Sequence, residues 1–189
     1  MAADAGWNVN NKSSTYLSAV IADDKVILTA TVPKNTWFGL GFGKNGTNKM
    51  VGTDIILFDA KWDESASPKT YGTFKDLYAS APKYPDAVDP AFSTGPAPTE
   101  SNGASLFVVT RPLNPGKDNT ANLEKDKNYL FVYATNSKGG VEKHDYNGQY
   151  WMNITKDGVV TLSDFSNNAK KMVAAGAALA SMAAVSYLI

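Results

Sequence analysis

The stretch TYLSAVIADDKVILTATV, Thr15 to Val32, decides the fold class. Its halves, TYLSAVIA (Thr15 to Ala22) and KVILTATV (Lys25 to Val32), are rich in β-branched and apolar residues, and only Asp23 and Asp24 separate them. Two β-prone runs joined by two residues predict an antiparallel hairpin, although Asp-Asp lacks the usual glycine of such turns. The same kind of segment recurs downstream as WFGLGFG (Trp37 to Gly43), TDIILFDAKW (Thr53 to Trp62), KTYGTFKDLYA, SLFVVTRPL, NYLFVYAT and QYWMNI. No helical period competes with them before the C-terminal tail. Short strands broken by turns at this spacing predict an all-β fold, an antiparallel two-sheet β-sandwich of immunoglobulin-like architecture.

The sandwich is expected over 15–165, after an N-terminal segment 1–14 and before a tail 166–189. Residues 81–103, APKYPDAVDPAFSTGPAPTESNG, hold five prolines and are expected to form a long surface loop. The tail contains MVAAGAALASMAAVSYLI (172–189), which carries no charge and follows Lys170 and Lys171. As a helix it would be about 27 Å long, close to the hydrocarbon thickness of a bilayer. Three readings stand: a membrane-anchor helix, an Ala-rich helix docking on protein, and a lipid-anchor signal removed on maturation. The sequons at Asn11, Asn45 and Asn153 favour a glycoprotein on the extracellular or lumenal face. The lysine pair votes for the opposite orientation.

The 189 residues balance 18 basic against 18 acidic side chains. No basic excess is present to release counterions from nucleic acid or to hold an anionic membrane surface, so no nucleic-acid partner is expected. Cysteine is absent, which excludes disulfides, thiolate metal sites and cysteine nucleophiles. With His144 as the sole histidine, any chemistry that needs two imidazoles is excluded. The glycines of GLGFG lie inside a strand pattern, not at the start of a helix, so they form no phosphate loop. No catalytic constellation emerges, and the chain is not expected to be an enzyme.

Met50 and His144 remain, each in a turn-rich setting beside a strand. A thioether with a neutral imidazole is an axial pair for haem iron, in which the soft sulfur favours the ferrous state. Taken singly, each has a plainer reading, Met50 as a core filler at a strand end and His144 as a solvated loop residue.

Five segments in order carry a family resemblance. They are WFGLGFG at Trp37 to Gly43, MVGTDIILF at Met50 to Phe58, Phe-x-x-x-Arg-Pro-Leu at Phe107 to Leu113, the strand Leu130 to Ala134, and His144 shortly before Gly148. With them the chain resembles the DOMON domain family, which includes the haem-binding cytochrome domain of cellobiose dehydrogenase. The resemblance covers roughly Thr15 to Ile154 and implies that Met50 and His144 are the axial ligands of a b-type haem. Covalent attachment through cysteine is impossible. Trp37, Phe42, Phe58, Tyr133 and Trp151 are candidate walls of an apolar slot, expected at one end of the sandwich between the two ligand loops. Arg111 is the only arginine, so lysines, tyrosines or backbone groups are expected to meet the haem propionates.

Three readings of function follow. The first is a membrane-tethered b-type electron carrier with an unidentified redox partner protein. The second is a haem-free ligand- or carbohydrate-binding module in which exposed Trp and Tyr rings stack on sugars. The third is an accessory subunit that docks through its tail.

Overall fold

The structure is a computed structural model that describes residues 6–9, 14–43, 50–81, 85–87, 92–116, 118, 120–136 and 144–165. Twelve strands occur in chain order: β1 (Trp7–Asn8), β2 (Tyr16–Ala22), β3 (Lys25–Pro33), β4 (Trp37–Gly43), β5 (Thr53–Asp59), β6 (Thr73–Tyr78), β7 (Asp86–Ala87), β8 (Thr99–Ser101), β9 (Ala104–Pro112), β10 (Lys127–Asn136), β11 (Tyr146–Ile154) and β12 (Val160–Asp164). They form two antiparallel sheets. The first has the order β1-β2-β3-β9-β8, and the second has the order β12-β11-β10-β4-β5-β6-β7.

The expected hairpin is present, with Ala22 paired to Lys25 and Tyr16 to Thr31. Asp23 and Asp24 both have positive φ, 47° and 58°. Aspartate tolerates this left-handed region because its short polar side chain bonds locally, so a tight turn forms here without glycine. The all-β expectation therefore holds. The apolar helix expected over 172–189 lies outside the described residues, and among those that are described no helix is long and apolar enough to cross a membrane.

Trp7 and Asn8 pair with Leu17 and Tyr16, so the sandwich recruits residues ahead of position 15. The expected long loop 81–103 also contributes structure at its second end. Thr94 bridges Thr110, and β8 pairs with the start of β9. The Asp76 carboxylate accepts from the backbone N–H groups of Phe92 and Ser93 and from the Ser93 hydroxyl, which ties this segment back to β6.

Each strand's period of two sorts its side chains between an inner and an outer face. In the second sheet Phe38, Leu40 and Phe42 of β4, with Ile56 and Phe58 of β5, point inward. They meet Val26, Leu28 and Ala30 of β3 and Phe107 and Val109 of β9. Phe58 meets Phe107 edge-on across the two sheets, with ring centroids 5.4 Å apart. Fully burying a side chain of this size contributes about 1.5–3 kcal/mol. That row of aromatic and aliphatic groups is what commits the even-numbered face of β4 to the interior.

Candidate functional site

The odd-numbered residues of β4 therefore face outward, and they are Trp37, Gly39, Gly41 and Gly43. Strand register builds ranks across this outer face. Asn147, Ala134, Gly39, Leu57 and Lys75 make one, and Gln149, Val132, Gly41, Ile55 and Leu77 make the next. The middle of the sheet is thus a narrow groove along β4 that is buried, floored by glycine and flanked by Val132 and Ala134 on one side and Ile55 and Leu57 on the other. Ile55, Leu57, Leu77 and Ala79 form a second buried apolar cluster on this face, and Trp37 and Met50 pack against it.

Glycine is required at the centre of the floor. A Cβ on Gly41 would lie 2.7 Å from the methyl carbons of both Thr53 and Val132. Gly41→Ala is expected to cost about 1–3 kcal/mol through forced shifts of those neighbours, read as a lower urea midpoint. A variant as stable as the wild type would show that the groove walls give way freely.

Met50 reaches this face through local chain geometry. Gly52 has a φ of 83°, its N–H donates to the Ala79 carbonyl at 2.8 Å, and the Thr53 N–H donates to the Met50 carbonyl at 3.2 Å. The turn places Met50 over the outer cluster, while Asp54, two residues past Gly52, points inward. There the Asp54 carboxylate accepts from the Arg111 guanidinium at 2.9 Å and from the Ala121 N–H at 3.1 Å. Arg111 also donates to the Ala121 carbonyl at 2.8 Å. The guanidinium lies over the Phe42 ring at 4.3 Å and the Phe92 ring at 5.0 Å.

Both partners are fully buried. Burial pushes the Asp54 carboxyl above its ordinary value, and the Arg111 charge works against that push. The acid of the Gly-x-Asp step and the base of Arg-Pro-Leu are therefore one core ion pair that pins the start of β5, and Arg111 has no access to a ligand on the outer face. The nearby Tyr150 hydroxyl is buried as well, which raises its pKa well above the ordinary 10.0.

His144 precedes β11 at the other end of the groove. Thr135 pairs with Tyr146 and Asn136 with Trp37, so the β10–β11 hairpin turns beyond the Trp37 end of β4. The half-buried His144 ring has Nδ1 3.2 Å from the Asn147 amide nitrogen. Met50 and His144 thus flank opposite ends of one groove, which corrects the expected slot at one end of the sandwich. Antiparallel pairing of β4 with β10 is the reason, since their following loops must leave from opposite ends.

The candidate walls divide by strand parity. Trp37 is on the outer face, and its ring lies 3.6 Å from where a Gly39 Cβ would stand. Phe42 and Phe58 are fully buried between the sheets and cannot line the outer groove. Tyr133 likewise faces inward, edge-on to Trp7 with ring centroids 5.6 Å apart. Trp151 is on the outer face of β11 but stands next to Phe165, with centroids 6.2 Å apart, away from the glycine floor. Ile55, Leu57, Leu77, Val132 and Ala134, none of them expected from sequence, take those places. The signal was present in WFGLGFG, where glycine alternates with bulky residues.

The residue types on this face, a thioether, an imidazole and an apolar surround, are those that hold a haem. The floor has no side chains, and the buried Trp37 Nε1–H has no partner among the described residues. Among the described residues no three His, Cys, Asp or Glu side chains converge to hold a metal by themselves.

No protein-family model matches the chain, and no curated protein does. Solved structures do. The cytochrome b domain of pyranose dehydrogenase from Coprinopsis cinerea is 14% identical, with a TM-score of 0.55 over 75% of this chain and 77% of that one. The cytochrome domain of cellobiose dehydrogenase from Myriococcum thermophilum is 10% identical, with a TM-score of 0.56 over 81% and 83%. The likeness expected from the order of the sequence motifs is thus found in the fold, which the chain shares with these two cytochrome domains.

Proposed function

We propose that the chain is an electron-transfer cytochrome domain holding a b-type haem in the β4 groove, with Met50 and His144 as axial ligands. The observation that carries this reading is the fold shared with two cytochrome domains, on whose apolar outer face the chain brings a thioether and its sole imidazole. When bound, haem supplies a one-electron ferric/ferrous couple. The chain's residues do the rest. The Met50 sulfur, a soft donor, favours the reduced state and raises the potential. With the His144 imidazole as its other ligand, the iron would keep no open site for oxygen or peroxide, and the role would be outer-sphere transfer. Ile55, Leu57, Leu77 and Val132 exclude water from the couple. Trp37 Nε1 and the Lys75 ammonium are donors on this face for acidic groups at the haem edge.

An absorbance spectrum of protein produced in haem-replete cells tests the reading. A Soret band with sharp α and β bands on reduction is expected, and protein that stays colourless when haem is supplied would refute it.

The carbohydrate-binding reading has less support. The Asp59, Trp62, Asp63 and Thr70 side chains line an open cleft of about 470 Å³. The indole there has Lys34 4.6 Å over its ring and Tyr71 against it in a T-shaped contact, so the ring is already partly covered.

The uncharged run 172–189 is read as a tether that holds the domain to a membrane on its extracellular or lumenal side. Truncation after Asn168 is expected to move the protein from the membrane fraction to the soluble one with its circular dichroism spectrum intact, because the described sandwich closes before that point. Truncated protein that remains with the membrane would exclude the tether.

A further inference from the structure

We propose that Asn147 is a positioning residue that sets which nitrogen of His144 is free to bind metal. The inference rests on the haem reading and goes beyond it by assigning the partner that orients the ligand ring. Asn147 is on the outer face of β11, directly opposite Ala134 and in the same rank as Gly39 of the groove floor. Its side-chain amide is 3.2 Å from His144 Nδ1, so the amide reaches the ring at the nitrogen remote from Nε2.

The two ends of an asparagine amide have opposite hydrogen-bonding character, and a half-turn of the side chain exchanges them. With Nδ2 toward the ring, the amide donates to a bare Nδ1, and the imidazole proton sits on Nε2. In that form Nε2 has no lone pair to give. With Oδ1 toward the ring, Nδ1–H donates to the amide oxygen, the proton is held on Nδ1, and the Nε2 lone pair faces outward. Metal-bound histidines are generally fixed in this way by an acceptor on the second nitrogen, which also raises the basicity of the ligand. Asparagine suits both conditions. It can donate while the groove is empty and accept once Nε2 is committed to iron. An aspartate could only accept, and a leucine could do neither.

His144 is the sole histidine, so its ring nitrogens give an unambiguous signal in a long-range nitrogen–proton NMR spectrum of the haem-free protein. Asn147 is exposed, so replacing it leaves the core packing unchanged. In haem-free protein, Asn147→Asp is expected to shift the ring toward the Nδ1–H form, and Asn147→Leu to return it to the mixture of a free imidazole. In haem-loaded protein, Asn147→Leu is expected to lose haem to apomyoglobin roughly tenfold faster and to raise the midpoint potential. Asn147→Asp should keep its haem and lower the potential.

Opposite shifts in the two variants are what a positioning role requires. The same tautomer signal in all three proteins, or potentials that move together, would overturn the proposal while leaving the haem assignment intact. Wild-type protein that takes up no haem would overturn the haem reading, whereas the NMR comparison would still report whether Asn147 sets the tautomer.

Discussion

Arg111→Met is expected to lower the folding stability of the chain by about 3–5 kcal/mol, the usual cost of removing one partner from a buried ion pair. The methionine fills much of the vacated space between Phe42 and Phe92, so lost volume is a small part of the effect. What remains is a fully buried Asp54 carboxylate whose one other hydrogen-bond partner among the described residues is the Ala121 N–H. Urea unfolding of wild type and variant at neutral pH measures the difference. Adding Asp54→Leu should recover much of the loss, because a well-packed apolar pair often replaces a buried ion pair at little cost.

The pH dependence has a definite sign. Burial already raises the Asp54 pKa above 3.8, and losing the Arg111 charge raises it further. A folded-state carboxyl that binds its proton more tightly than the unfolded one gains stability as pH falls, so the deficit of Arg111→Met should shrink toward acid. A single variant within about 1 kcal/mol of wild type, the typical cost of an ordinary substitution, would show that the pair is not what holds this end of the sandwich. Because Asp54 is the second residue of the strand that follows the Met50 turn, the same variant should also loosen the thioether's position.

The second large effect concerns the two ligands. His144→Ala is expected to weaken haem retention by more than the roughly tenfold that losing an outer-shell partner costs, since only the thioether would remain. Met50→Ala should open one axial position and convert the reduced and oxidised spectra to high-spin forms. Met50→His should stay low-spin with a lower midpoint potential, because a second imidazole stabilises ferric iron better than sulfur does. Phe42→Leu is the control. Its side chain is sealed between the sheets, so stability should fall with no change in the spectrum. An unaltered spectrum in Met50→Ala would remove the thioether from the iron and leave Met50 as a packing residue on the outer cluster.

The sequence by itself determined the β class, the Asp23–Asp24 hairpin and the main strands, because a two-residue period and β-branched runs are local properties of the chain. Composition singled out His144 as the sole histidine, whereas Met50, one of five methionines, was picked out by the resemblance of MVGTDIILF and its companion motifs to the DOMON family. The short strands β1, β7 and β8 were not legible, because two or three residues become strand by pairing with a neighbour, not by their own propensity. Only the tertiary structure decided which face of each strand is interior. Phe38, Leu40 and Phe42 alternate with glycine in WFGLGFG, but which half of each strand lies between the sheets depends on which half meets Phe107 and Val109 in the other sheet. That one choice puts Phe42 and Phe58 in the core and turns Gly39 and Gly41 into the floor of a groove. The pairing of Asp54 with Arg111 needed the folded chain for the same reason. The two are 57 residues apart in sequence, and only sheet packing, which excludes water from both, makes each the other's necessary partner.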